Sequence, residues 1–148
     1  MNIDEYIHYS DPKHSEEFQR LHPKAREVAS VAAFLSKTLF GELLITTSIF
    51  RKKTTDSGIH EQWRAIDFKP LSEVAFTYKL IELLNNIFVY DPTRLGMKVV
   101  HPNPYHGTAC HIHIQVHPNT VCLTDEKKAF YKLTAQNDEK HFKPLRLA

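Results

Sequence analysis

The side chains of this sequence best suited to hold a metal ion are His60 and Asp67, seven positions apart, and the pair His111 and His113. Asp67 stands inside Ala65-Ile66-Asp67-Phe68, a run that otherwise reads as a half-buried strand. A carboxylate there costs free energy unless it is paired or metal-bound. In Cys110-His111-Ile112-His113-Ile114-Gln115-Val116 the alternation puts His111, His113 and Gln115 on one strand face and Ile112, Ile114 and Val116 on the other. Two histidines and a carboxylate, with a fourth position left to water, form the usual catalytic zinc set, and the metal lowers the pKa of that water to ~7. His60, Asp67 and one of His111 and His113 supply the ligands. The remaining histidine, two residues away on the same face, is placed to work on the water as an acid or base. Arg51, leaving the preceding strand, can hold a substrate carboxylate or an oxyanion.

Other readings of these residues are bland. His60 can be a loop histidine bonded to a turn, Asp67 a surface residue, and His111 and His113 fillers on a solvated face. Arg51 beside Lys52 and Lys53 can be a basic turn. His101, His106 and His117 read as surface or supporting residues, Trp63 as core, and Cys110 as a fourth ligand that would close the site. The bland readings of His60, Asp67, His111 and His113 must all hold at once to explain the spacing away.

The elements that would position the residues follow from periodicity. Residues 1–22 are polar without a sustained period, an arm or a short helix. Pro23 suits a first helical turn, and Val28, Val31, Ala32, Leu35 and Leu39 keep helical spacing to about Phe40, where Gly41 is placed to cap. Leu43 to Phe50 reads as a buried strand. A second amphipathic helix is expected over about 72–88, with Val74, Tyr78, Ile81, Leu84 and Phe88 on one stripe, and Asp91-Pro92 ends it. A short strand at Met97–Val100, a turn-rich stretch at 101–107 and the histidine strand at 110–117 come next. A last helix is expected over 124–134, and residues 136–148 form a polar tail. The sum is one α+β domain over 1–148, helices on one side of a small, mainly antiparallel sheet.

Of the ten histidines, five crowd into residues 101–117, which favours metal binding, one ion per chain. A formal net charge of +2 excludes a charge-driven partner such as nucleic acid or an anionic membrane surface. Only two cysteines occur, Cys110 and Cys122, without a CxxC spacing, so a disulfide framework is not expected and a reducing compartment is allowed. The first residues lack a basic region followed by an apolar one, and no apolar run approaches the ~20 residues of a membrane span. No signal peptide and no membrane insertion are expected, and synthesis is in the cytoplasm. Nothing in the residue pattern fixes an oligomeric state.

Three blocks together carry a resemblance. Ser48-Ile49-Phe50-Arg51, then His60 with Ala65-x-Asp67, then His111-x-His113, is similar in order and approximate spacing to the zinc peptidases of the D-Ala-D-Ala carboxypeptidase type. That superfamily includes murein endopeptidases, phage endolysins and the hedgehog signalling domain. The resemblance implies a hedgehog-like α+β fold and Zn²⁺ held by His60, Asp67 and His113. It gives His111 the role of partner to the attacking metal-bound water, and Arg51, with Trp63, the binding of substrate. It implies hydrolysis of an amide bond in a D-amino-acid-containing peptidoglycan peptide, by a recycling enzyme or by a phage lysin acting on the wall after release. This chain has Trp63 where the pattern has glycine, Ser57 three residues rather than two before His60, and Cys110 where many members carry an acidic base. That last departure admits a non-catalytic zinc-binding module of the same fold. A different class, the histidine-triad nucleotide hydrolases and transferases, is similar only in His111-x-His113-x-Gln115, with Asn103 and Gly107 upstream, and leaves Arg51, His60 and Asp67 unused.

Overall fold

The computed structural model describes residues 2–52, 58–105 and 109–123. Among them are three helices, α1 (Lys13–Arg20), α2 (Pro23–Phe40) and α3 (Val74–Ile87), and seven strands. The strands are β1 (Ile7–His8), β2 (Leu44–Ser48), β3 (Ala65–Phe68), β4 (Phe88–Val89), β5 (Val100–Tyr105), β6 (Ala109–Gln115) and β7 (Val121–Cys122). Five of them form one mixed sheet in the order β1-β2-β3-β6-β5, in which only the β1–β2 pair is parallel, while β4 and β7 pair separately. The expected α+β class and mainly antiparallel sheet are what the chain adopts.

Helix α2 begins where Pro23 meets His22, whose ring Nδ1 accepts the Lys24 N–H at 3.1 Å, and it ends on Gly41 in the left-handed conformation (φ 71°). Its inner face is Ala25, Val28, Ala29, Ala32 and Ala33, all fully buried, and the small side chains let the helix lie close to the sheet. Helix α3 adds Leu80, Leu84 and Ile87. The sheet meets these helices with Ile66, Phe68, Val100, Ile112 and Ile114. Burying the larger of these side chains contributes ~1.5–3 kcal/mol each. The opposite face of β3 and β6 carries Asp67, His111, His113 and Gln115.

Several expectations change. Residues 1–22, read as an arm or a short helix, do hold the short helix α1, but also strand β1, and Ile7, Phe18 and Leu21 enter the core. The expected 101–107 turn is, over its first five residues, strand β5, in spite of Pro102 and Pro104. The reason is register. Gln115 N–H donates to Val99 O at 2.8 Å, so in the antiparallel alternation residues 101 and 103 bond to β6, while 100, 102 and 104 face outward. Prolines are tolerated there because no ladder donor is needed. Val100, the other outward residue, has both its N–H and its carbonyl taken by the Asn85 side chain, each at 2.9 Å. This edge of the sheet therefore offers little for another strand to pair with. The helix expected over 124–134 and the tail lie outside the described residues. No helix among the described residues is long and apolar enough to cross a membrane.

Candidate metal centre

The site is assembled by one row of the sheet. Ser48 on β2 pairs with Asp67 on β3, Asp67 with His113 on β6, and His113 with His101 on β5. A bulge in β2 between Thr46 and Ser48 shifts the register by one residue just before the chain turns out towards Arg51. Bulges re-aim the residues that follow them and are common beside functional sites.

His60 arrives from a separate turn. Gln62 and Arg64 N–H groups donate to Ile59 O, and Trp63 N–H donates to His60 O at 3.1 Å, which winds residues 59–64 into a compact loop. Its end is unusual: Trp63 has φ 59°, the one non-glycine residue described with a left-handed backbone. Such a conformation costs a side-chain-bearing residue ~1–2 kcal/mol. The compensation is visible. The indole stacks on Phe50 with centroids 4.6 Å apart, lies 4.5 Å beneath the Arg20 guanidinium, and its residue's carbonyl accepts the His22 N–H at 2.8 Å. Ring stacking and a cation over the ring contribute roughly 0.5–1.5 kcal/mol each, enough to offset the strain.

His60, Asp67 and His113 are all buried, and their ligand atoms lie within 4.8 Å of one another. Asp67 Oδ1 is 2.6 Å from His113 Nδ1, and Asp67 Oδ2 is 3.2 Å from His60 Nε2. The decisive detail is where the ring protons go. His60 Nδ1 sits 2.7 Å from the Ile49 carbonyl, which can only accept, so that nitrogen bears the hydrogen and Nε2 is left as a lone pair. His113 stands between two oxygens, Gln115 Oε1 at 3.2 Å from Nε2 and Asp67 Oδ1 at 2.6 Å from Nδ1. Without a cation the shorter contact is a hydrogen bond donated by Nδ1, and with the proton on Nε2 the same Nδ1 is free to be a ligand. The His60 lone pair points at the Asp67 carboxylate, itself only an acceptor. His60 Nε2 comes close to Oδ2 but off the line of a hydrogen bond, and it has no hydrogen-bond partner although fully buried. Buried acceptors turned on one another are unfavourable unless a cation or a proton lies among them. Metal-bound histidines characteristically give their second N–H to a carbonyl or carboxylate oxygen, as His60 does here to Ile49 O. The three residues could hold one metal ion.

Burial would by itself raise the Asp67 pKa. The hydrogen bond from His113, and then the closeness of the His60 ring, outweigh it, and the carboxyl is held well below the usual carboxylate range. Asp67 is thus ionised at neutral pH, as a ligand must be. Arg51 reaches the same Oδ2 at 3.4 Å, with almost half its side chain exposed.

Beside the cluster opens a cleft of about 270 Å³ lined by Arg51, Ile59, His60, His101, Asn103, His113 and Gln115. Arg51 takes the expected place at its mouth. Two other expected residues stand elsewhere. Trp63 packs on Phe50 and Arg20 and is not among the described residues lining the cleft. His111 shares the face of His113 one step along β6, opposite Asn103, and does not line the cleft either. Cys110 falls on the other face of β6, which removes it as a fourth ligand. His101, read from sequence as a surface or supporting residue, faces His113 directly, with ring centroids 6.1 Å apart. Its Nε2 lies 2.8 Å from Lys98 O and 3.1 Å from the Gln115 amide nitrogen. Burial lowers its pKa, and the bond to Lys98 offsets this in part. The five-histidine cluster was the signal for His101, and the flanking prolines concealed it. Comparison with protein-family models, with curated proteins and with solved structures finds no match for this chain.

Proposed function

We propose that the chain is a zinc-dependent hydrolase that cleaves an amide bond in a D-amino-acid-containing peptide of peptidoglycan. The observation that carries the metal is the buried, unpartnered lone pair of His60 Nε2 aimed at the Asp67 carboxylate, with His113 Nδ1 on the other carboxylate oxygen. Two imidazoles and one carboxylate suit zinc better than magnesium or calcium, which prefer all-oxygen sets. When bound, zinc supplies Lewis acidity and makes water a competent nucleophile near neutral pH. The rest belongs to the chain. Arg51, at the mouth of the cleft, holds a substrate carboxylate or the carbonyl oxygen as charge builds on it. Gln115 fixes the His113 ring, and the Ile49 carbonyl fixes that of His60. His111 and His101 are the two candidates to move a proton, and of these His101 lines the cleft. The peptidoglycan substrate, and a hedgehog or carboxypeptidase type of fold, rest on the resemblance of the three sequence blocks. So does action on the cell wall by a lysin or recycling enzyme.

Purified protein should contain about one zinc per chain. Zinc added to metal-free protein at ~100 times its dissociation constant should stabilise the fold by ~2.7 kcal/mol, seen as a raised melting temperature. Digestion of purified murein, read by mass spectrometry with and without chelator, tests the reaction. Chelator-sensitive release of peptide fragments is expected. Zinc binding without products would make the domain a zinc-stabilised binding module. Chelator-independent release of a nucleoside monophosphate from a dinucleotide would transfer the function to the histidine-triad class.

A further inference from the structure

We propose that helix α1 is a clamp that presets the metal site, acting through Glu17 and Arg20 on the Phe50–Trp63 stack. The inference rests on the metal reading above and adds four positioning residues to it, none of which touches the ion. Glu17 and Arg20 are three residues apart and so lie on one side of the helix. The Glu17 carboxylate accepts the Phe50 N–H at 3.2 Å, and the Arg20 guanidinium covers Trp63. Phe50 and Trp63 are stacked at an interplanar angle of 17°.

Each ring of that stack is one short step from the site. Phe50 lies between Ile49, whose carbonyl orients His60, and Arg51, which reaches Asp67. Trp63 closes the turn that His60 opens, through its N–H to the His60 carbonyl. The stack therefore staples the two segments whose relative position sets the direction of the His60 ring. A bulky residue with positive φ persists only where its surroundings over-determine it, and here those surroundings are α1, His22 and Phe50. Without them the turn could relax towards an ordinary backbone and carry His60 with it.

The test is zinc affinity, measured by competition with a chromophoric chelator and followed also by the fluorescence of Trp63, the sole tryptophan. The double variant Glu17→Ala/Arg20→Ala alters side chains outside the core and should remain folded. It is expected to bind zinc ~10–100-fold more weakly than the natural chain, the range seen when groups that orient metal ligands are removed. Trp63→Leu should show a similar loss, and Trp63→Phe, which keeps a ring in the stack, should recover most of it. Phe76→Leu is the control. It breaks a comparable stack, Phe40–Phe76 at 4.8 Å, away from the site, and should lower the melting temperature while leaving zinc affinity intact. Unchanged affinity in the Glu17/Arg20 variant, with zinc bound by the natural chain, overturns the clamp and leaves the metal centre standing. Equal loss in Phe76→Leu overturns it too, since the effect would be general destabilisation. A natural chain that takes up no zinc overturns the metal reading itself.

Discussion

Two buried aspartates in this chain do opposite things with their charge. Asp91, 3% exposed, sits in the turn after β4 and is surrounded by donors: the Thr93 N–H at 3.0 Å, the Thr93 hydroxyl at 2.8 Å and Arg94 Nε at 3.1 Å. Asp67, 2% exposed, sits mid-strand between two ring nitrogens, and one of them, His60 Nε2, brings no proton because the ring's hydrogen is held by the Ile49 carbonyl. The first carboxylate is satisfied by the fold and closes a turn. The second needs something the fold does not itself provide. A depressed pKa is common to both, so it does not separate a structural acid from a functional one. What separates them is whether all the neighbours can donate.

The largest effect that sharpens this contrast is on metal affinity. Asp67→Asn should weaken zinc binding by more than ~10²-fold, beyond what removal of an orienting group does, because a ligand charge is lost. Asp91→Asn should leave zinc affinity as it is. Metal analysis and chelator competition on the two proteins decide it, and equal affinities would erase the distinction drawn between the two acids.

Next come the histidines of β6. His113→Ala should lose zinc and the stability that zinc confers, since metal binding here is partly folding free energy. His111→Ala should keep both, and its turnover should fall by ~10²–10⁴-fold if that side chain carries a proton in the reaction. His101→Ala, on the cleft wall, should likewise keep zinc. Measured side by side on murein, whichever of the two substitutions cuts turnover identifies the proton carrier. Zinc loss in His111→Ala with retention in His113→Ala would reverse the ligand assignment.

Much of this was legible in the sequence, and the reasons are specific. The alternation in His111-Ile112-His113-Ile114 is a strong period-two signal, and it placed two histidines on the face opposite the core. Helix α2 announced itself by Pro23, its apolar spacing and Gly41. The region before it was harder. β1 has two residues and α1 two turns, too short for a period to emerge, although Phe18 and Leu21 are core residues. β5 was hidden by two prolines that read as turn signals, and only the register shows that they occupy outward positions where no donor is missed. That misreading had a functional consequence, because it removed His101 from the strand that brings it to the cleft. The protons of His60 could not be read at all. They depend on the Ile49 carbonyl, which the fold brings to the ring from eleven residues away.

A smaller effect concerns metal-free protein. Asp67→Asn replaces one acceptor oxygen by an amide N–H that can donate to the lone pair of His60 Nε2, while the remaining oxygen still faces His113 Nδ1, so a mutual conflict becomes a hydrogen bond. The melting temperature of the metal-free variant should equal or exceed that of the metal-free natural chain, while Asp91→Asn should lower it. A marked fall for Asp67→Asn without metal would mean that a proton, and not a cation, joins Asp67 to His60.

The smallest effect is on the acid limb of stability. Asp91 is brought down to about 2, chiefly by the Thr93 hydroxyl and N–H and then by Arg94. Its folded pKa lies below the unfolded value of ~3.9, so it stabilises the fold fully above pH ~4. The contribution is lost as pH falls towards about 2, where the folded carboxyl takes up its proton. In the Asp91→Asn variant the amide has nothing to titrate. The difference in melting temperature between the natural chain and this variant should therefore narrow steadily from pH ~4 to ~2. Asp67 and the other carboxylates titrate in both proteins and cancel in the difference, which makes the measurement specific to this turn. A difference that stays constant down to pH ~2 would show that Asp91 gains nothing from its donors, and the turn would then be held by Pro92 and the backbone alone.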